Sequence, residues 1–191
     1  MGLFKNRKTE RISVPVTQNM NRHPFGVIDG YVPLGAPQMR LYKALREAVP
    51  VIDAAVFKLV RLTGGFRIEC SDSGAQAVID EFTETVPVGG NRYGLAAFVS
   101  SYFEQLLTYG TAIGEIVTDT EGMPCALFNV PLEGIELRRA RNGFDIDIYV
   151  RKGCELKKAP AQELCLLSVL NPDAGALTGN SLLKGMPFVS G

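Results

Sequence analysis

Three stretches of this 191-residue chain bring together residue types that can do chemistry. The first is Gly89-Gly90-Asn91-Arg92-Tyr93-Gly94, a glycine-rich loop with the two-glycine spacing of a phosphate loop. Such a loop needs Lys and then Ser or Thr after its second glycine, to neutralise the β/γ-phosphates and to hold Mg²⁺. Leu95 and Ala96 stand there, so a loop leading into a helix is the reading these residues support. The second is Gly179-Asn180-Ser181-Leu182-Leu183, which opens like a nucleophile elbow. Its closing glycine is missing, and that arrangement takes its base from a histidine after the serine. The one histidine is His23, far upstream beside Pro24. The third is acidic: Asp80, Glu81 and Glu84 on one predicted helix, and Asp119 with Glu121 in a predicted turn. Asp80 and Glu84 are four apart and share a face, which either holds a divalent ion or is a solvated face whose charges repel. The turn has too few oxygens, at the wrong spacing, for a calcium loop.

Four cysteines stand at 70, 125, 154 and 165, with no CxxC pair among them. With one histidine, a zinc site of the usual spacing is excluded. Cys70, Cys125 and Cys165 fall in strand-like apolar stretches and read as small buried thiols. A basic cluster, Arg138, Arg139, Arg141, Arg151 and Lys152, flanks a predicted hairpin. With Asp145 and Asp147 across from it and few aromatics between, it reads as a charged outer face first and as a phosphate or subunit contact second. No catalytic constellation, metal site or cofactor is expected.

The elements that would position these residues follow from pattern. Apolar residues are 46% and charged residues 21% of the chain, an ordinary globular balance. Net charge is zero but unevenly spread. Residues 1–68 carry 11 basic and 4 acidic side chains, residues 69–136 carry 1 and 11, and residues 137–191 carry 8 and 5. Either these segments neutralise each other within one fold, or faces of opposite sign meet between neighbouring subunits. No apolar run reaches the ~18 residues that span a bilayer. The basic start (Lys5, Arg7, Lys8) has no apolar stretch after it, and Asn6 stands where a myristoylation signal wants Ser or Thr, so a soluble product is expected.

Residues 1–36, with Pro15, Pro24 and Pro33 and no apolar period, read as an extended arm. Residues 37–63 read as helix, with a stripe through Leu41, Leu45, Val49 and Ile52 that continues through Ala55, Val56, Leu59 and Thr63. Pro50 either kinks this block or begins a second helix. Gly64-Gly65 supplies a positive-φ stop, and Phe66, Ile68 and Cys70 alternate as a short half-buried strand. A helix over 73–85 is expected to bury Ala77, Val78 and Phe82. Another over 95–109 carries the stripe Leu95, Phe98, Val99, Tyr102, Leu106 and Tyr109 and closes at Gly110. Strands are expected at 111–118, 125–130 and 163–170. Between the predicted strands 135–141 and 144–150, Asn142-Gly143 predicts a two-residue type I′ hairpin whose paired residues sum to 285. A helix is expected to begin at Leu182, capped by Asn180 or Ser181, with little room before Gly191. The expectation is an α+β fold: a helical N-terminal half, then antiparallel strands with an Asn-Gly hairpin.

Taken in order, several stretches resemble tailed-bacteriophage portal proteins. One is Tyr42-Lys43-Ala44-Leu45-Arg46-Glu47-Ala48-Val49, continuing to Leu59-Val60-Arg61-Leu62-Thr63-Gly64-Gly65. A second is the apolar helix from Phe98 that ends in Tyr109-Gly110 and passes directly into Thr111-Ala112-Ile113-Gly114-Glu115, similar to the portal "YG.A..E" signature. A third, Gly179-Asn180-Ser181-Leu182-Leu183-Lys184-Gly185-Met186-Pro187-Phe188, is similar to the portal segment leading from the wing into the stem helix. The resemblance implies a wing-like domain over 37–180, after the arm of 1–36, with 181–191 as the start of a stem-leading segment cut short before stem and clip. It further implies a structural, non-enzymatic subunit of a phage or prophage head–tail connector. That subunit would form a dodecameric ring at a capsid vertex, assembled in the host cytoplasm, through which double-stranded DNA is packaged and ejected. Terminase, capsid or scaffold proteins and head-completion proteins would be its partners. The alternative is a head–tail adaptor or capsid-associated α+β binding module that forms no channel.

Overall fold

The computed structural model describes residues 31–34, 37–63 and 65–186. Prolines set the first two helices. Val49 has an extended backbone (φ −123°, ψ 92°), the conformation that a following proline favours. Helix α1 (Pro37–Ala48) therefore stops, and Pro50 begins α2 (Pro50–Leu62). Asp72 caps α3 (Ser73–Thr85), its carboxylate accepting the N–H groups of Gly74 and Ala75 at 2.7 and 2.9 Å. Helix α4 (Leu95–Tyr109) ends at Gly110, whose φ of 75° is the left-handed cap that glycine adopts without strain. Both α3 and α4 have the expected bounds.

The strands are β1 (Tyr31–Pro33), β2 (Thr111–Thr118), β3 (Pro124–Asn129), β4 (Ile135–Arg139), β5 (Ile146–Lys152), β6 (Glu155–Lys158) and β7 (Cys165–Val169). They form two antiparallel sheets, one ordered β1-β4-β5-β6 and the other β3-β2-β7, so the fold is α+β as expected. Strand β1 and the fully buried Leu34 belong to the stretch read as an arm. Strand β6, Glu-Leu-Lys-Lys, has too little apolar alternation to be visible in the sequence and lies at a sheet edge.

The β4–β5 register is the one expected, from Ile135 opposite Val150 to Arg139 opposite Ile146. The turn differs. The strands part at Arg139 and Ile146, and of the Asn-Gly pair only Gly143 has positive φ (75°). Asn142 instead accepts the N–H groups of Phe144 and Asp145 on its side-chain oxygen, so the loop is wider than a two-residue type I′ turn. Because it stays centred on 142–143, the pairing is unchanged.

Three apolar clusters hold the layers together. Leu34, Ile113, Leu132, Ile135, Leu137, Ile148 and Leu177 join the two sheets. Val86, Val88, Phe98 and Leu127 join α4 to β3, and Tyr42, Ile52 and Leu183 join the first two helices to the end of the described chain. The buried face of α1 and α2 runs through Tyr42, Ile52, Val56 and Val60, while Leu41 and Leu59 are exposed. Residues 65–70 are not a strand. No neighbouring strand pairs with them, and Gln76 bonds their backbone, accepting from the Cys70 N–H and donating to the Ile68 carbonyl. Gly65 lacks the positive φ expected of a stop, and Gly64 lies outside the described residues. On α3, Ala77 and Val78 are exposed and Phe82 is half-buried, because the helix packs chiefly on α4 through the Phe82 side and leaves the Ala77–Val78 side in water. From 182 to 186 the chain forms turns, the Lys184 N–H on the Ser181 carbonyl and the Met186 N–H on the Leu183 carbonyl; the rest of the helix expected from Leu182 lies outside the described residues.

Candidate phosphate or subunit contact surface

The five basic residues marked by the sequence do not form one patch. Glu136 on β4 is 2% exposed and holds two of them: Arg138 at 2.6 Å and Arg151 at 3.3 Å, one to each carboxylate oxygen. Arg138 also lies over the Tyr149 ring, 4.8 Å from its centre. Arg139 donates to the carbonyls of Gly143 and Gly175, tying the hairpin loop to the loop after β7. Arg141, in the loop between β4 and β5, and Lys152, the last residue of β5, are both exposed. Asp147 is bonded by Lys158 of β6 at 2.8 Å, and this bond raises the Lys158 ammonium pKa. The cluster thus works mainly within the fold, with Arg141 and Lys152 at its margins.

The other marked motifs are structural in geometry. Residues 86–94 fold back as a tight hairpin: Pro87 pairs with Tyr93, Val88 N–H reaches the Arg92 carbonyl, and Gly89, Gly90, Asn91 and Gly94 all have positive φ. Ser181 is buried, donating its hydroxyl to the Thr108 carbonyl and accepting the Leu183 N–H. Asp80 accepts from Gln76 on an exposed face of α3. Asp119 accepts the N–H groups of Glu121 and Met123 within its turn. Cys70 and Cys125 are exposed, contrary to the buried reading. Cys70 is in no strand, and the Cys125 thiol sits on an outer face against the Val117 carbonyl. Cys165 is half-buried, and burial, with Glu115 and Glu163 nearby, pushes its thiol pKa up. No cluster of three metal-ligating side chains occurs among the described residues, and no helix among them is long and apolar enough to cross a membrane. His23 lies outside the described residues.

The structure adds three features that pattern did not reveal. Arg46 of α1 spans three helices: it bonds Asp53 of α2 at 2.6 Å, and Glu104 and Thr108 of α4 at 2.9 and 2.8 Å. Burial opposes its charge, but the two carboxylates outweigh that and hold its pKa above the usual value. The seven-residue step from Arg46 to Asp53 across Pro50 is the one sequence signal for this. The second feature is a cleft of about 430 Å³ between residues 66–68, α3 and the start of α4, with Asp80 and Glu84 on its wall. The third is a backbone crossing. The Leu170 N–H reaches the Gly110 carbonyl, the Gly179 N–H reaches the Thr111 hydroxyl, and the Leu182 N–H reaches the Leu107 carbonyl. A Cβ on Gly110 would lie 2.6 Å from backbone atoms of Gly179, Asn180 and Ser181. Residues 107–111 and 179–182, from two of the stretches that carry the portal resemblance, meet here.

No protein-family model matches the chain, and no curated protein matches it. Solved structures do. A chain in the virion of a native gene transfer agent particle is similar over 83% of this chain and 42% of its own length, at 16% identity and a TM-score of 0.63. A chain in the neck of the native particle, computed with C12 symmetry, matches over 81% and 41%, at 14% identity and 0.60. A chain in the neck of the empty particle, computed with C6 symmetry, matches over 84% and 43%, at 15% identity and 0.60. The chain therefore spans about two-fifths of the length of the chains whose fold it shares.

Proposed function

We propose that this chain is a structural subunit of a phage-like connector, of the portal type. Subunits would form a ring at a capsid vertex through which double-stranded DNA passes, and on which terminase, capsid or scaffold and head-completion proteins dock. Residues 37–180 would be its wing-like domain, residues 1–36 an arm, and residues 181–191 the approach to the stem. The observation that carries this reading is the fold shared with chains of a particle neck solved with twelvefold symmetry. Arg141 in the β4–β5 loop and Lys152 at the end of β5, both exposed, would be the residues of the basic cluster that meet a phosphate or a neighbouring subunit. The subunit would do no covalent chemistry. Electron microscopy of the purified chain, across a concentration series, tests this: rings with a central hole are expected. A chain that stays monomeric at the highest concentration would overturn the portal reading.

A further inference from the structure

Helix α2 is apolar on both sides. Ile52, Val56 and Val60 are buried within the fold. Around the rest of the helix Val51, Ala54, Ala55, Phe57, Leu59 and Leu62 are exposed, Val51 by 72% and Leu62 by 70%. Lys58 and Arg61 are the charged side chains of this outer side; Glu47 of α1 stands at its edge, and Asp53 is held by Arg46. A helix that is apolar all round is stable when both sides are covered. The cleft beside α3 has the matching chemistry: Phe66, Ile68 and Leu95 give it apolar surface, and Asp80 and Glu84 outnumber Arg67 on its wall.

We infer that the exposed side of α2 docks into the cleft formed by residues 66–68, α3 and α4 of a second copy of this chain. Leu62 and Phe57 meet the apolar surface, and Lys58 and Arg61 meet Asp80 and Glu84. The inference rests on the ring reading above and names the surfaces that join. Charge selects the occupant. The outer side of α2 is basic, so a two-fold dimer through it would oppose like charges, whereas the cleft is acidic. The same asymmetry extends along the chain, with an excess of seven basic residues over 1–68 and of ten acidic residues over 69–136. Each copy carries one of each surface, so the contact is head-to-tail and repeats until it closes.

The test is a charge swap in the full chain, read by sedimentation velocity. One variant carries Lys58→Glu with Arg61→Glu, the other Asp80→Lys with Glu84→Lys. All four positions are exposed; Asp80 also accepts from Gln76, so circular dichroism is compared with the parent and an Asp80→Asn variant, which keeps an accepting oxygen, serves as the control for that bond. Each variant alone should associate at least roughly tenfold more weakly than the parent, from like-charge opposition. Mixed one to one, they should regain assembly, because every junction again pairs opposite signs. Leu62→Ser, which removes apolar surface and adds no charge, should also weaken association. If the parent forms rings and the variants assemble equally well, or if mixing restores nothing, this contact is wrong and the ring reading stands. If the parent never assembles, both are wrong.

Discussion

Replacing Gly110 by alanine probes the junction of helix, sheet and returning chain directly. Gly110 sits at φ +75°, where an L side chain costs about 1–2 kcal/mol. Its new Cβ would also lie 2.6 Å from the Gly179 oxygen, the Asn180 carbon and the Ser181 nitrogen, about 0.8 Å inside ordinary contact. All three are backbone atoms, so no side-chain rotation relieves the overlap, and overpacking of this kind adds about 1–3 kcal/mol. The expected loss is about 2–5 kcal/mol, a fall in melting temperature of about 4–20 °C for a chain of this size. Gly122→Ala is the control. Its φ is +84°, but nothing lies within 4 Å of the added carbon, so it should lose only the conformational part, about 1–2 kcal/mol. Urea and thermal unfolding of both variants supply the comparison. Equal losses would refute the claim that the 179–181 segment is pressed against the end of α4.

Arg46→Ala should cost about 2 kcal/mol in urea unfolding, a figure reduced because Asp53 and Glu104 are each about a third exposed. Arg46→Lys should recover only part of it, since an ammonium cannot fork to three partners. Under native conditions at mildly alkaline pH, Cys70, Cys125 and Cys154 should react with a thiol reagent before Cys165, whose burial raises its pKa; labelling followed by peptide mass mapping gives the order. The Asp72 carboxyl is held below the ordinary aspartate range by the N–H groups of Ala75 and Gly74. Its support for α3 is therefore present above the ordinary aspartate pKa and is lost as pH falls through the lowered one. NMR shifts of the first α3 turn should follow that loss in acid, and Asp72→Asn, which keeps an accepting oxygen, should remove the dependence.

Local rules were legible where a single residue type decides the outcome. Pro50 ends one helix and starts another, and Gly110 closes α4. The β4–β5 pairing was also legible, because the loop centre sets the register whatever the turn type. What stayed hidden depends on partners distant in sequence. Phe66, Ile68 and Cys70 alternate like a strand, yet alternation produces a strand only if another strand accepts its hydrogen bonds, and Gln76 takes them instead. Ala77 and Val78 have the pattern of a buried helix face, but α3 packs chiefly on α4 and leaves that side exposed. Spacing brought Arg138, Arg139, Arg141, Arg151 and Lys152 together as one surface. The buried Glu136 claims two of them, which one sequence read alone cannot show.

The crossing at Gly110 also governs how the fold can move. Four hydrogen bonds, one from Leu170 just after β7 and three from Gly179, Ser181 and Leu182, fasten the returning chain to the last turn of α4, to Gly110 and to the beginning of β2. A hinge between helices and sheets would have to break these bonds together, with the glycine contacts that leave no slack. Helices and strands should therefore travel as a rigid body, and any force arriving through residues 181–186 is handed to both at once.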